Sequence, residues 1–509
     1  MKLLWFLRHL RGKTKPTAVK EEGEGSAKNK RYKVIESYWI SNPLAKVNIV
    51  SIDNQIQYVA EEAKLDPNES KAREKLTSLL VKELIPPESA DVDTASYILG
   101  EAKRLSKKYK RSLGKFDEKS WEKIFYYVVR DIAGYGNLDI LMKDPNIEDL
   151  SCNGIDRLVY VWHRKYESIP SNIKFTDESE LDSFILKLAH MSGKHISSAR
   201  PVLDAMLPSK DRLAATFMHE VSTFGSSFCI RKFRSEPFSI TDLIEMGTVD
   251  ERIAAYLWLL LEHKMSLMII GGTGAGKTSM LNALINLIKP GDKIVTVEEI
   301  AELNIAHENW VQLVSRESFR FGTTKESSIN LFDLVKLSLR YRPDYIVVGE
   351  VRGEEAYTLF QAVATGHGGL CTMHADSLDN AVRRLTSPPM NVAEVYVPLM
   401  NVCMYISRVS LPKVKMGLKF GRRVRNIWEI VDYGKYKLIS EWSPSKDIFH
   451  TNFEESFLLD KIATKLGKEK EDILKEIVQR SNMLRRLVLD GSLRAKNIAS
   501  VLNGKECEY

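Results

Sequence analysis

The chain has 509 residues, 44% of them apolar and 28% charged, a length for about three domains and a composition of ordinary globular proteins. No apolar run approaches the ~18 residues that would cross a bilayer, and the longest, Ile253–Leu261, stops at Glu262. The net charge is +7, and residues 1–33 alone, with ten Lys/Arg and three Glu, carry +7, so the remainder is neutral overall. A neutral body speaks against a nucleic-acid enzyme, which spreads basic surface over its folded part.

The first 50 residues read as a basic, largely disordered segment, because KTKPTAVKEEGEGSAKNKRYK is rich in Lys, Glu and Gly. Ahead of it, Leu3, Leu4, Phe6, Leu7 and Leu10 could line a short basic helix resting on an anionic membrane or a partner. The N-terminus lacks the uninterrupted apolar stretch of a secretory signal, since Arg8 and Arg11 break it, so the chain is expected in the cytoplasm. The five cysteines are scattered with no CxxC, which argues against a disulfide framework or a zinc site.

Residues 51–133 read as a helical bundle, with helices expected over 70–84, 92–112 and 118–132 between breakers at Pro86-Pro87 and Gly114. From 134 to 240 the pattern becomes mixed α/β. LVYVWHRKYESI reads as strand, turn and strand, a helix follows near 178–192, and RLAATFM and SSFCIRKF read as strands. From 241 onward short β-rich runs alternate with helices. SLMIIGG, KIVTVEE, WVQLV, YIVVGE and LCTMHA are expected strands of a parallel sheet covered on both faces. After residue 455 the chain turns helical again.

GGTGAGKT, residues 271–278, satisfies G-x-x-x-x-G-K-[ST] between an expected strand and helix. Gly271, Gly272, Thr273, Gly274, Ala275 and Gly276 would turn successive N–H groups inward as an anion nest. The helix start adds its partial positive charge, with Ser279 in its first turn. Lys277 is placed to reach the β- and γ-phosphates and Thr278 to ligate Mg²⁺. Glu298 and Glu299 of TVEEIAEL end one strand, and Glu350 of YIVVGE ends another, at the edge where open parallel sheets bind ligands. A carboxylate there can orient or deprotonate water. Arg352, two residues past Glu350, could fix that carboxylate or sense phosphate. In TGHGGLCTMHADS, His374 falls on the same edge, while His367 is expected to pack within the glycine turn.

These four signatures in order resemble the type II/IV secretion ATPases that drive pilus assembly and protein secretion, above all the archaeal branch. GEVRGEEAYTLFQAVATGHGG, TMHADS, GYGNLDILMKDPNIEDLSCNG and VYVWHRKYESI carry the likeness, over roughly residues 120–435. The resemblance implies a RecA-like P-loop domain behind a mixed α/β N-terminal domain, and Mg²⁺-dependent ATP hydrolysis by a ring of six. Such a ring works on a multi-pass membrane platform protein at the inner face of the membrane. It implies Glu298 as the catalytic glutamate, Glu350 as a metal and water ligand, and His374 as a reporter of the γ-phosphate. Glu299 stands where the family usually has Asp. Arg212 and Arg231 match basic residues brought to the nucleotide from the N-terminal domain, and Lys336 and Arg340 fall where a subunit boundary can meet it. The segment 234–250, with Pro237 and Gly247, could hinge the two domains. Pilus assembly, an archaellum motor and secretion all remain open. A nucleic-acid-translocating ring and a regulator that binds nucleotide but barely hydrolyses are further readings. The neutral body opposes the first, and the two acidic strand tips oppose the second.

Overall fold

The computed structural model describes residues 33–85, 92–233, 237–316, 329–415 and 418–490. The amphipathic segment at 3–10 lies outside them. The chain divides into two compact units at Phe233/Arg234, seven residues before the expected boundary. Among the described residues no helix is long and apolar enough to cross a membrane.

The first unit opens with three strands, β1 (Lys33–Ser41), β2 (Ala45–Ile52) and β3 (Gln55–Glu62). This corrects two expectations. The expectation of disorder through residue 50 fails because the Lys/Glu/Gly-rich composition ends near residue 32, and KVIESYWIS begins a β-rich run. The expectation of a helical bundle from residue 51 fails at its start, because Ile56, Tyr58 and Ala60 recur every second residue and join one core, the period of a strand. Tyr38 and Tyr58 both donate to the Asp144 carboxylate, at 2.6 and 2.8 Å, and so fix these strands to the mixed domain.

The helices follow: α1 (Pro67–Glu83), α2 (Thr94–Lys108) and α3 (Glu118–Ile132). Each starts on an aspartate that accepts from first-turn N–H groups: Asp66, Asp93 and Asp117. Leu76, Leu80, Ile98, Leu105, Ile124 and Val128 form their shared core. Next come β4 (Ile147–Cys152), β5 (Leu158–His163), β6 (Glu167–Lys174), α4 (Glu178–Met191), β7 (Val202–Met206), β8 (Arg212–Thr216) and β9 (Ser227–Arg231). All nine strands make one sheet, ordered β1-β2-β3-β6-β5-β4-β9-β8-β7.

The second unit holds another nine-stranded sheet. Its strands are β10 (Leu267–Ile270), β11 (Ile294–Glu298), β12 (Trp310–Val314), β13 (Tyr345–Val348), β14 (Gly368–Met373), β15 (Val402–Lys415), β16 (Leu418–Asp432), β17 (Lys435–Ser443) and β18 (Ile448–Thr451). The order is β12-β11-β13-β14-β10-β15-β16-β17-β18. The run from β12 to β15 is parallel, as expected of the RecA-like core, and β16 to β18 extend it as antiparallel strands.

Successive residues of each parallel strand feed opposite cores. Leu267 and Ile269 pack with α5 (Glu251–Glu262) and α6 (Lys277–Ile285). Met268 and Ile270 pack with α7 (Leu331–Ser338), α8 (Glu355–Ala364) and α9 (Leu378–Thr386). Burial on both faces removes the polar half of the alternation, so these strands read as unbroken apolar runs. Two closing helices, α10 (Phe457–Leu466) and α11 (Lys470–Leu489), join the core on the α5 side.

Candidate nucleotide site

Because β10, β11, β13 and β14 run parallel, their carboxyl ends share one rim. In spatial order that rim carries Glu298 at the end of β11, Glu350 two residues past β13, His374 directly after β14, and the glycine loop after β10. All four predicted segments therefore converge in the second unit.

The loop is shaped by its glycines. Gly274 and Gly276 have φ of 68° and 97°, the left-handed region where a side chain is strained. Gly271 is packed so closely that an added Cβ would sit 2.3 Å from the Ile406 carbonyl oxygen. Lys277 is buried, and its Nζ donates to the carbonyls of Gly271 and Gly272 at 3.0 and 2.9 Å, folding the ammonium back over the loop. Burial holds its pKa below the ordinary lysine value, the Glu350 charge opposes that, and Arg352 adds to it. An anion brought to this loop restores the ammonium's favourable surroundings.

Glu298 is 3% exposed. One oxygen accepts from the N–H groups of Glu302 and Leu303 at 2.9 and 2.8 Å, and the other from Gln312 Nε2 at 2.8 Å. Burial raises its pKa while these three donors pull it down. Gly349 of the neighbouring strand end lies against it, with an added Cβ only 3.3 Å from the Glu298 Cγ. Beyond Gly349, Glu350 pairs with Arg352 Nη2 at 2.7 Å, and Arg352 Nη1 reaches Glu299 at 3.5 Å. Arg352 thus bridges both acidic boxes, so Glu299 has a definite place. The ends of β13 and β14 are joined beyond the ladder, where Thr372 Oγ1 donates to the Gly349 carbonyl at 2.7 Å and Val351 N to the Thr372 carbonyl at 2.9 Å.

His374 Nε2 lies 3.0 Å from Thr273 Oγ1 of the glycine loop, and Arg384 of α9 donates to the His374 carbonyl. His367 packs within its turn, with Nδ1 3.0 Å from the Ala362 carbonyl. Thr278 sits in the first turn of α6, half-buried, with Ser279 beside it.

The remaining predicted cations belong to other elements. Arg212 and Arg231 belong to the first unit, on β8 and β9, where they face each other across the ladder and pair with Asp204 (3.0 Å) and Asp149 (3.1 Å). Arg340, in the short turn after α7, precedes β13 by a few residues and so stands at the amino rim, opposite Glu350; exposed Lys336 lies over the Phe332 ring. Neither joins this chain's rim, because a helix leading into a parallel strand ends at the wrong edge of the sheet. Sequence reasoning missed Gln312, Arg384 and Arg422. Arg422, on β16, donates to the Gly274 carbonyl at 3.2 Å and fills the space beside Gly276. Strand pairing brings Gln312 and Arg422 to the rim and the fold-back of α9 brings Arg384, and no local pattern marks the three.

Residues 141–411 match the family described as type II/IV secretion system protein. The chain belongs to that family. An uncharacterised protein of Methanocaldococcus jannaschii is 38% identical over 72% of this chain and 66% of its own length. A second uncharacterised protein of that organism is 40% identical over 48% of this chain and 90% of its own length. The chain thus spans just under two thirds of the first relative. Among solved structures, the Legionella pneumophila ATPase DotB covers 71% of this chain and 92% of its own, with a TM-score of 0.42 and 15% identity. The family match takes in the end of the first unit and the second unit through most of β15. The N-terminal strands, α1–α3 and β16–β18 lie outside it.

Proposed function

We propose that this secretion-family chain hydrolyses ATP and, as a ring of six, drives assembly of a type IV pilus-like filament or secretion through a membrane platform protein. The observation that carries the reading is the convergence on one rim of the glycine loop, two acidic strand tips and His374, which is bonded to the loop itself.

In the reaction, the water oxygen forms a bond to the γ-phosphorus. The bond to the β–γ bridging oxygen breaks with its electron pair passing to ADP, and the water's surplus proton leaves with the base. Glu298 is the base in this reading, and its burial and raised pKa suit that role. Lys277 swings from the Gly271 and Gly272 carbonyls to the phosphates, and Arg352 balances charge developing near Glu350. His374 Nε2 changes partner from Thr273 to a γ-phosphate oxygen.

The Thr278 hydroxyl and the Glu350 carboxylate offer the hard oxygen donors that Mg²⁺ prefers. Both residues stand on the rim that carries the glycine loop, Thr278 in the first turn of α6 and Glu350 just past β13. Mg²⁺ there would neutralise phosphate charge. Arg212 and Arg231 keep the phosphate-facing role that the family likeness implies, with a phosphate taking over from Asp204 and Asp149, their partners in the unliganded chain. Arg340 would serve a neighbouring subunit.

The test is phosphate release from ATP by the purified chain. Turnover that disappears in Lys277→Ala, while that variant keeps its melting temperature, supports the reading. Turnover equal in both proteins overturns it.

A further inference from the structure

We infer that a cleft beyond His374 is a holding site for the phosphate cleaved from the nucleotide, with Arg383 and Arg384 as its ligands. This rests on the hydrolytic reading above. The cleft has a volume of about 460 Å³. Gly272 and His374 form its wall towards the glycine loop, and Arg352, Arg383 and Arg384 line the rest of its charged surface.

Position is the first argument. An in-line displacement drives the phosphoryl group away from ADP. In the hydrolytic reading His374 Nε2 meets the γ-phosphate, and His374 and Gly272 also line this cleft. A phosphate leaving past His374 enters this cleft.

Charge is the second argument. Three guanidinium groups and one carboxylate, Asp376, line the cleft, a net positive set, and Asp376 accepts from Asn380 Nδ2 at 2.6 Å. Arg352 is neutralised by Glu350 and Glu299. Arg384 uses one nitrogen on the His374 carbonyl and keeps the rest of its fork. Arg383 forms no ion pair among the described residues. Two adjacent cations facing one cleft, with no carboxylate of their own, suit a small divalent oxyanion. The bond from Arg384 to the His374 carbonyl gives the site a further role. A phosphate drawing on Arg384 pulls on the residue that contacts the loop, so the product's departure is felt at Thr273.

The experiment titrates inorganic phosphate into the ADP-loaded full chain by calorimetry, with chloride at matched ionic strength as control. Wild-type protein should bind phosphate saturably. Arg383→Gln, at an exposed position, should keep its melting temperature and its ATP affinity within about twofold, yet weaken phosphate about tenfold, the scale of one charge-assisted contact. Equal phosphate affinity in both proteins overturns the inference. So does a wild-type protein that turns over ATP but shows no saturable phosphate binding. A wild-type protein with no ATP turnover overturns both this inference and the reading beneath it, which separates the two failures.

Discussion

His374 Nε2 and Thr273 Oγ1 stand 3.0 Å apart, so the strand after the glycine turn is joined directly to the phosphate loop. In the proposed reaction the imidazole is a replaceable partner, held by a hydroxyl until a phosphate oxygen takes its place. His374→Ala should lower kcat for ATP by about 10²-fold, the scale of losing one donor to developing charge. ATP affinity should change by less than about threefold, as for an interaction made in the transition state. Thr273→Val should retain most of the turnover, because the hydroxyl is not the final partner. Steady-state kinetics beside equilibrium nucleotide binding checks both.

Glu298 predicts a pH dependence. Its pKa is raised above 4.5 by burial, and a base must be ionised to act. The acidic limb of kcat should therefore have its midpoint above the usual glutamate value. Gln312 Nε2 donates to the carboxylate and favours its ionised form, so Gln312→Ala should move the limb to still higher pH. A pH–rate profile of the two proteins measures the shift, and an unmoved limb would assign it to another group.

Glu429 predicts a stability effect. It is fully buried on β16 and accepts from Tyr256 Oη (2.6 Å), Ser456 Oγ, Phe457 N (2.7 Å) and Leu458 N (3.2 Å). One carboxylate thus caps α10 and fixes it to the sheet and to α5. Glu429→Ala leaves these donors without a partner and should cost about 3 kcal/mol. Urea unfolding gives the value, and limited proteolysis should show new cuts within Phe457–Leu489.

Lys187 predicts a pH dependence of stability in the first unit. Its Nζ is buried and donates to the carbonyls of Asp131 and Gly134, at 2.9 and 2.6 Å. Burial pushes its pKa down to about 8 from 10.5. Between these values the unfolded chain binds more protons than the folded one, so stability rises with pH across that window. The cost of the buried charge is full below about pH 8 and relieved above it, a difference of up to about 3 kcal/mol. Lys187→Met should flatten the rise, and denaturant melts of both proteins from pH 7 to 10 compare the slopes.

Much of the second unit was legible in the sequence because its signals are local. The apolar runs of β10, β11, β13 and β14, and the glycines and charges at their ends, fix strand, direction and rim together. Gly368 and Gly369 belong by sequence to the glycine turn around His367, yet they are places of close approach: an added Cβ at Gly368 would lie 2.3 Å from the Tyr345 ring, and one at Gly369 2.5 Å from Val363. Gly366, with φ of 98°, is the one that needs a left-handed turn. The strands β15–β18 were not expected, because a meander of amphipathic strands such as KYKLISEWS has no punctuation as sharp as a phosphate loop. The strands of residues 33–52 were hidden by the composition of the tail before them. Arg384 could not be seen as a partner of His374 until α9, capped by Ser377, carried it back across ten residues.

Tyr345 occupies the amino rim of the second sheet, its ring seated on Gly368 and its hydroxyl donating to the last turn of α5 at Leu261. That side of the slab is bolted shut, with no slack between helix and strand. The opposite side ends in loops joined by exchangeable polar contacts. A ligand bound at the carboxyl rim would therefore shift its loops more readily than the packed amino rim behind them.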